Sequence, residues 1–134
     1  MQKIPFYKPC LGESEINEVV HTLRSGWLTT GPKTKQFEKE FAEYLARRYA
    51  VAVNSCTAAL HLALEAIGVK AGQGVVVPTL TFAATAEVVR YLGARPILVD
   101  CSADDFNLDV ADAEQRIQAE LGKNQAEHDR KHSP

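Results

Sequence analysis

The most constraining feature of this sequence is residues 49–68, where a short apolar run leads directly into an almost wholly apolar helix. The run at 50–53 is rich in β-branched residues and is typical of a buried strand. In the helical part the only polar residues are His61 and Glu65, which lie four positions apart on one narrow face. Such a helix has to be covered on nearly every side, so it predicts a central place in a layered fold.

The turn at 54–57, with the sequence Asn-Ser-Cys-Thr, permits two interpretations. A helix N-terminus carries unpaired N–H groups and a partial positive charge, which suit a phosphate. The small residues from Cys56 to Ala59 would let an anion approach the backbone closely, and Thr57 could add a hydroxyl donor. Ser and Thr at this place are equally ordinary N-caps, and capping is their commoner use. The local sequence leaves both interpretations open.

Apolar strands alternate with amphipathic helices along the chain. Strands are predicted at 50–53, 73–77 and 96–99, and helices at 13–24, 34–47, 57–67, about 86–92, and after Asp109, which is expected to cap the last helix. This alternation predicts an α/β fold with βαβ units and a parallel sheet. Ligands of such sheets bind beyond the carboxyl ends of the strands, so the turns at 54–57 and 78–82 can share one ligand.

Composition excludes several functions. The chain has 134 residues and a net charge of −2, which gives no electrostatic case for nucleic acid or an anionic membrane as a partner. Its apolar runs all fall short of the roughly 20 residues that span a bilayer. The three cysteines Cys10, Cys56 and Cys101 are too widely spaced for a metal pair, and a reduced, cytoplasmic protein is expected.

The last residues break the pattern. Residues 122–134 contain no large apolar side chain and are predicted to be a disordered tail. His128 and His132 are four apart but have no identifiable third ligand, so no metal site is predicted there. Three strands and a few helices can hardly cover the apolar helix, which predicts either pairing with another copy or a place at the front of a larger protein.

Four segments together resemble one family. These are GWLTTGP (26–32), FEKEFAEYLA (37–46), AVAVNSCTAALHLALEAIG (50–68) and VVVPTLTFAATAEVVRYLGARPILVD (75–100). They resemble the N-terminal part of the DegT/DnrJ/EryC1/StrS aminotransferases, pyridoxal-phosphate (PLP) enzymes that aminate nucleotide-linked keto-sugars. The match runs in unbroken order from about residue 5 to residue 117. It implies that residues 1–121 form the first part of a fold-type I PLP-dependent large domain, ahead of the tail at 122–134.

The resemblance also implies roles for individual residues. Thr57 and Ala58 correspond to the turn that holds the cofactor phosphate, and Phe82 corresponds to the aromatic residue that stacks on the pyridine ring. Thr29 and Gly31 correspond to a loop that lies near the substrate. The GWLTTGP and PTLTF segments look more like members that aminate the sugar at C4 than at C3. Glutamate as amino donor, a nucleotide-sugar substrate and a homodimer are further expectations from the family.

This chain departs from the family in one important respect. The aspartate that pairs with the pyridine nitrogen and the Schiff-base lysine of relatives both lie beyond the region that matches. Transamination needs that amine as anchor and base, and the protonated ring as electron sink. We therefore assign no catalytic residue and expect an N-terminal fragment that is inactive alone, so whether the chain is an enzyme stays open. The alternative is a non-catalytic, truncated interaction or dimerisation domain. A generic nucleotide-binding domain or hydrolase lacks support, because the GxGxxG, GxxxxGK[ST] and GxSxG motifs are absent.

Overall fold

The computed structural model describes residues 4–5 and 7–132, with side chains up to residue 123. The chain divides between Ala52 and Val53 into two compact units. Within the described residues, no helix combines the length and the apolar character needed to cross a bilayer. The N-terminal unit contains α1 (Glu13–Ser25) and α2 (Pro32–Tyr44); the C-terminal unit contains α3 (Cys56–Ala66), β1 (Gly74–Pro78), α4 (Ala84–Tyr91), β2 (Arg95–Val99) and α5 (Val110–His132).

The N-terminal unit is built from two amphipathic helices, as the sequence predicts. At the start of α1 the Glu15 carboxylate reaches back to accept a hydrogen bond of 2.6 Å from the Gly12 N–H. The helix ends at Gly26, which adopts the left-handed conformation with φ of 75°. Helix α2 begins with Pro32, whose missing N–H costs nothing in a first turn. A salt bridge of 2.5 Å between Lys33 Nζ and Glu18 Oε2 links the two helices.

The C-terminal unit contains the predicted βαβ arrangement. Strands β1 and β2 pair in parallel, in a register that runs from Gly74↔Arg95 to Pro78↔Val99, and α4 forms the crossover between them. Parallel strands need such a crossover because a tight turn can join only antiparallel neighbours. The core of this unit is made of small and β-branched residues: Val77, Val88, Val89, Ala94, Val99 and Ala113.

Helix α3 ends with Gly68 in the C′ position. Its φ is 82°, its N–H donates to Glu65 O at 2.9 Å, and the Val69 N–H donates to Leu64 O at 3.1 Å. These two bonds form a Schellman motif and satisfy carbonyls that the helix leaves unpaired. Leu64 then packs, partly buried, against the valine core, which fixes one side of α3.

The other side of α3 is uncovered. The helix contains no buried residue, although eight of its eleven positions are apolar. The uncovered apolar positions recur at the helical spacing i, i+3, i+4, i+7 and i+8: Ala59, Leu62, Ala63, Ala66 and Ile67. We call this set the α3 stripe. The expectation that this helix must be covered is thus met on only one of its sides by the described residues.

The predicted strand at 50–53 is wrong. Within the part of the chain that the structure describes, these residues carry no strand hydrogen-bond ladder, and the sheet has two strands instead of three. The Ala52 N–H donates instead to a side chain, Glu38 Oε1, at 2.8 Å. The physical reason is that β-branched residues favour an extended backbone but do not provide a neighbouring strand. An extended segment becomes a strand only when another strand forms hydrogen bonds with it.

Helix α5 differs from the prediction at its C-terminal end. Asp109 caps it as expected, since its Oδ1 accepts hydrogen bonds from Ala111 N at 2.8 Å and Asp112 N at 3.1 Å. The backbone then stays helical to His132, through most of the segment assigned to a disordered tail. Loss of apolar residues removes packing, but the Ala, Glu, Lys and Gln of this segment keep a high helix propensity. The domain limits of 1–121 and 122–134 remain predictions, and the side chains of His128 and His132 lie outside the described ones.

Candidate cofactor-binding site

The first turn of α3 is capped by Ser55. Its backbone is extended, with φ of −159° and ψ of 157°, and its Oγ accepts a hydrogen bond of 3.1 Å from the Ala58 N–H. Its carbonyl accepts the Ala59 N–H, also at 3.1 Å. The capping interpretation of this turn is therefore confirmed for Ser55, and Ala58, one of the two predicted phosphate ligands, already has a partner for its N–H. In the part of the chain that the structure describes, the N–H groups of Cys56 and Thr57 have no acceptor.

The electrostatics of this turn favour an anion. Helices α3 and α2 have no acidic residue in their first turns, whereas α1, α4 and α5 carry Glu13, Glu87 and Asp112 at the corresponding place. The positive end of the α3 dipole is therefore left without a carboxylate from its own first turn. Thr57, which carries a hydroxyl, is half-buried, and Cys56 is exposed. Small side chains, two unpaired N–H groups and a hydroxyl fit a phosphate group.

The second predicted element is the turn that follows β1. The Thr79 N–H donates to Val99 O at 2.8 Å, which continues the pairing of the two strands by one residue. The chain then turns through Phe82, whose side chain is 82% exposed, and enters α4. A ring so exposed packs on little of its own chain and is available to a flat partner.

Asp100 and Asp112 fasten this edge of the sheet to α5. The Asp100 N–H donates to Asp112 Oδ2 at 2.8 Å, and Asp100 Oδ1 accepts from Cys101 N at 2.8 Å and from Thr79 Oγ1 at 3.4 Å. The hydrogen bond from the Asp100 N–H, followed by that from Arg116, lowers the pKa of Asp112 below its usual value. Sequence reasoning missed these contacts; the one available signal was the position of Asp112 in the first turn after its cap.

Three of the predicted site residues belong to the C-terminal unit. Thr57 and Ala58 lie in the first turn of α3, and Phe82 stands two positions before the first residue of α4. Helices α3 and α4 pack against each other. The structure thus places these residues at the beginnings of two neighbouring helices, and their roles toward a cofactor stay predictions.

The other two candidates lie in the N-terminal unit. Thr29 is exposed and lines a cavity of about 180 Å³ formed by the end of α1 and the loop that leads to α2. Gly31 is buried, and a Cβ built on it would lie 3.3 Å from Trp27 Cε3. Thr29 can therefore offer a hydroxyl to a ligand, while Gly31 serves the close approach of the loop to the indole ring.

Comparison with known proteins identifies the family. The sequence profile described as the DegT/DnrJ/EryC1/StrS aminotransferase family matches residues 9–122. The spore coat polysaccharide biosynthesis protein SpsC of Bacillus subtilis is 46% identical over 114 residues, which are 85% of this chain and 29% of SpsC. An uncharacterized protein of Methanocaldococcus jannaschii is 44% identical over 114 residues, which are 85% of this chain and 30% of that protein. The chain therefore spans about 30% of the length of the curated relatives it matches.

Solved structures agree with the sequence matches. Spr1654 of Streptococcus pneumoniae, designated a sugar aminotransferase and solved in its PLP form, is 46% identical with a TM-score of 0.75, covering 86% of this chain and 29% of that one. A DegT DnrJ EryC1 StrS aminotransferase from Brucella abortus is 37% identical with a TM-score of 0.75, covering 83% of this chain and 30% of that one. The α/β fold is thus that of part of a fold-type I PLP-dependent aminotransferase, as predicted. With its profile match over most of its length, the chain belongs to the DegT/DnrJ/EryC1/StrS aminotransferase family.

Proposed function

We propose that this chain supplies the phosphate-binding and ring-stacking part of the PLP site of a sugar-nucleotide aminotransferase. The observation that carries the proposal is the first turn of α3, where the N–H groups of Cys56 and Thr57 lack acceptors among the described residues and the turn itself contains no carboxylate to offset the helix dipole. The parent reaction would transfer an amino group from glutamate to C4 of a nucleotide-linked keto-sugar. Free thiols at all three cysteines are consistent with the cytoplasm as its compartment.

Each proposed residue has a separate task. The Thr57 hydroxyl and N–H would donate to phosphate oxygens, and the Ala58 N–H would do so after exchanging its bond with Ser55 Oγ. Phe82 would pack its ring against the pyridine ring, which fixes the ring plane and keeps water away from it. Thr29 would offer its hydroxyl on the substrate side. When bound, PLP supplies the electron sink for transamination.

The chain alone is expected to bind without turning over. None of its lysines corresponds to the family's covalent anchor, and transamination needs that amine both to hold the cofactor and to move a proton. The remaining residues can orient the cofactor and exclude water, but they contain no base assigned to the reacting carbon.

A titration with PLP tests this proposal. We expect saturable binding followed by absorbance, and a weakening of about tenfold or more in Thr57→Val, because a hydrogen bond to a charged group contributes roughly 1.5–3 kcal/mol. Phe82→Ala should also weaken binding, whereas the matched control Phe106→Ala, which removes another exposed ring, should not. Borohydride reduction and mass spectrometry provide the contrary outcome: near-stoichiometric labelling of one specific lysine would refute the assignment of an incomplete site.

A second function, pairing with another copy of the chain, is favoured by the α3 stripe. Five apolar positions at helical spacing are exposed there, and pairing would remove this apolar face from water. Light scattering should then find a dimer, and Leu62→Glu should dissociate it, while Glu65→Gln on the polar side of the same helix should not. A monomer with a cooperative melt would contradict this role.

A further inference from the structure

We propose that Thr81 and Thr85 are positioning residues that hold Phe82 for stacking on the cofactor ring. The inference rests on the proposed function, since Phe82 matters only if a ring binds there. Its own evidence is a hydrogen bond of 2.8 Å between Thr81 Oγ1 and Thr85 Oγ1. This bond links the residue before Phe82 to the first turn of α4.

The backbone around Phe82 is restrained from both sides. The Thr85 N–H donates to Phe82 O at 3.0 Å, and the Thr81 N–H donates to Thr79 O at 3.1 Å. The hydroxyl pair adds a third link within residues 79–85. Thr79 in turn donates to Val99 O, so this turn is tied to the end of the sheet.

These restraints matter because the Phe82 ring has little packing to hold it. An exposed side chain keeps its rotamer freedom, so its direction depends on how well its backbone is fixed. The usual device is missing: Ala83 occupies the N-cap position of α4 and has no side chain that could accept a hydrogen bond. The Thr81–Thr85 bond satisfies no backbone N–H of α4, but it joins the residue before Phe82 to the first turn of the helix.

A plain helix-capping role is the competing interpretation, and it differs in what it predicts. If the pair served only to start α4, its loss would lower stability without changing the order of the residue 82 side chain. If it positions the ring, removing either hydroxyl should loosen that side chain and weaken PLP binding. Both threonines share one bond, so the double variant should lose no more than either single variant.

The first measurement needs no cofactor. Phe82→Trp in a Trp27→Phe background places the only indole at the site. We expect the fast component of its fluorescence anisotropy decay to grow in Thr81→Val and in Thr85→Val, and to return to the parent value in the serine variants, which keep the hydroxyl. Thr85→Ala is a second loss-of-hydroxyl variant, chosen because alanine favours the helix and should preserve α4.

The second measurement is the PLP dissociation constant in the Phe82 background. It should rise about 3- to 10-fold in each valine variant and in the double variant, the scale of one net hydrogen bond, and stay within about twofold for the serine variants. Thr22→Val, an unrelated threonine of α1, is the matched control.

The outcomes separate this inference from the proposed function. If the valine variants keep both the anisotropy and the PLP affinity while Phe82→Ala weakens binding, the positioning role is refuted and the function stands. If neither Phe82→Ala nor the valine variants alter PLP binding, the proposed function fails. The anisotropy measurements then decide whether the Thr81–Thr85 bond orders the side chain of residue 82. An unchanged anisotropy decay in the valine variants would refute the positioning role too.

Discussion

Replacing Ser55 with alanine tests the central feature of the site, namely that one backbone N–H serves both the helix cap and the proposed phosphate contact. In the structure Ser55 Oγ accepts the Ala58 N–H at 3.1 Å. Removing an N-cap serine costs about 1 kcal/mol of stability, which for a chain of this size corresponds to a fall of roughly 4 °C in melting temperature. We expect that loss for Ser55→Ala in the absence of any anion.

The same substitution should have the opposite effect on binding. In the wild-type chain a phosphate has to displace Ser55 Oγ from the Ala58 N–H, and therefore forfeits the free energy of the cap. In Ser55→Ala that N–H is already released, so PLP should bind up to about fivefold more tightly, the factor that corresponds to roughly 1 kcal/mol. At saturating PLP the two proteins should then melt at more similar temperatures, because ligand binding stabilises by mass action.

Thermal melts followed by circular dichroism, without ligand and with PLP or inorganic phosphate, measure both effects. Ser14→Ala is the matched control, because among the described residues Ser14 Oγ bonds only the neighbouring Glu15 side chain in α1. Two results would refute the reasoning. An unchanged melting temperature would mean that the cap does not stabilise α3, and a several-fold loss of PLP affinity would mean that Ser55 is a ligand of the phosphate and not its competitor.

Two further predictions concern stability. Ala46 adopts φ of 51°, a left-handed conformation that strains a residue with a Cβ, so Ala46→Gly should raise the free energy of unfolding by about 1 kcal/mol. Gly68 has φ of 82° and open space around a built Cβ, so Gly68→Ala should lower the free energy of unfolding by a similar amount. Urea unfolding measures both changes, and equal effects of the same sign would contradict the conformational account. The hydrogen bond from the Asp100 N–H, the largest of several causes, lowers the pKa of Asp112 in the folded state. The contribution of Asp112 to stability is therefore present above its unfolded pKa of about 4 and is lost as pH falls through the lower folded pKa. Melting temperatures between pH 7 and pH 2 should accordingly fall less steeply in Asp112→Asn, and an identical slope would exclude this carboxylate as a source of acid sensitivity.

The local parts of the fold were predictable because their signals are local. The amphipathic period and the terminating glycines located α1 and the end of α3 to within a residue or two, since a helix is defined by contacts three and four positions apart. The parallel pairing of β1 and β2 followed from the intervening helix alone. The strand at 50–53 failed because pairing is not local, and no property of those four residues identifies a partner.

For the candidate site, the sequence located segments but not the bonds within them, and the roles of its residues stay predictions. Resemblance to a family directed attention to Thr57, Ala58 and Phe82, yet it could not say that Ser55 takes the Ala58 N–H. Four neighbouring polar or small residues could have capped α3, and the choice depends on the extended backbone of Ser55. The Thr81–Thr85 bond was also missed. Two threonines four positions apart ordinarily lie on one face of a helix, whereas here Thr81 precedes α4.

The α3 stripe and the candidate phosphate turn belong to one helix, so what covers the stripe should also affect binding. Burying a leucine or isoleucine side chain stabilises by about 1.5–3 kcal/mol, so covering Leu62 and Ile67, 49% and 76% exposed, would add a large fraction of the 5–15 kcal/mol that holds a typical domain together. A stabilised α3 opens its first turn less often, and that turn presents the Thr57 N–H and hydroxyl. Linkage is reciprocal, so PLP should in turn strengthen self-association through the stripe. Light scattering across a dilution series, with and without PLP, measures this coupling. The coupling would be refuted if PLP did not change self-association of the wild-type chain and Leu62→Glu did not change PLP affinity. The α3 stripe and the first turn of α3 would then act independently.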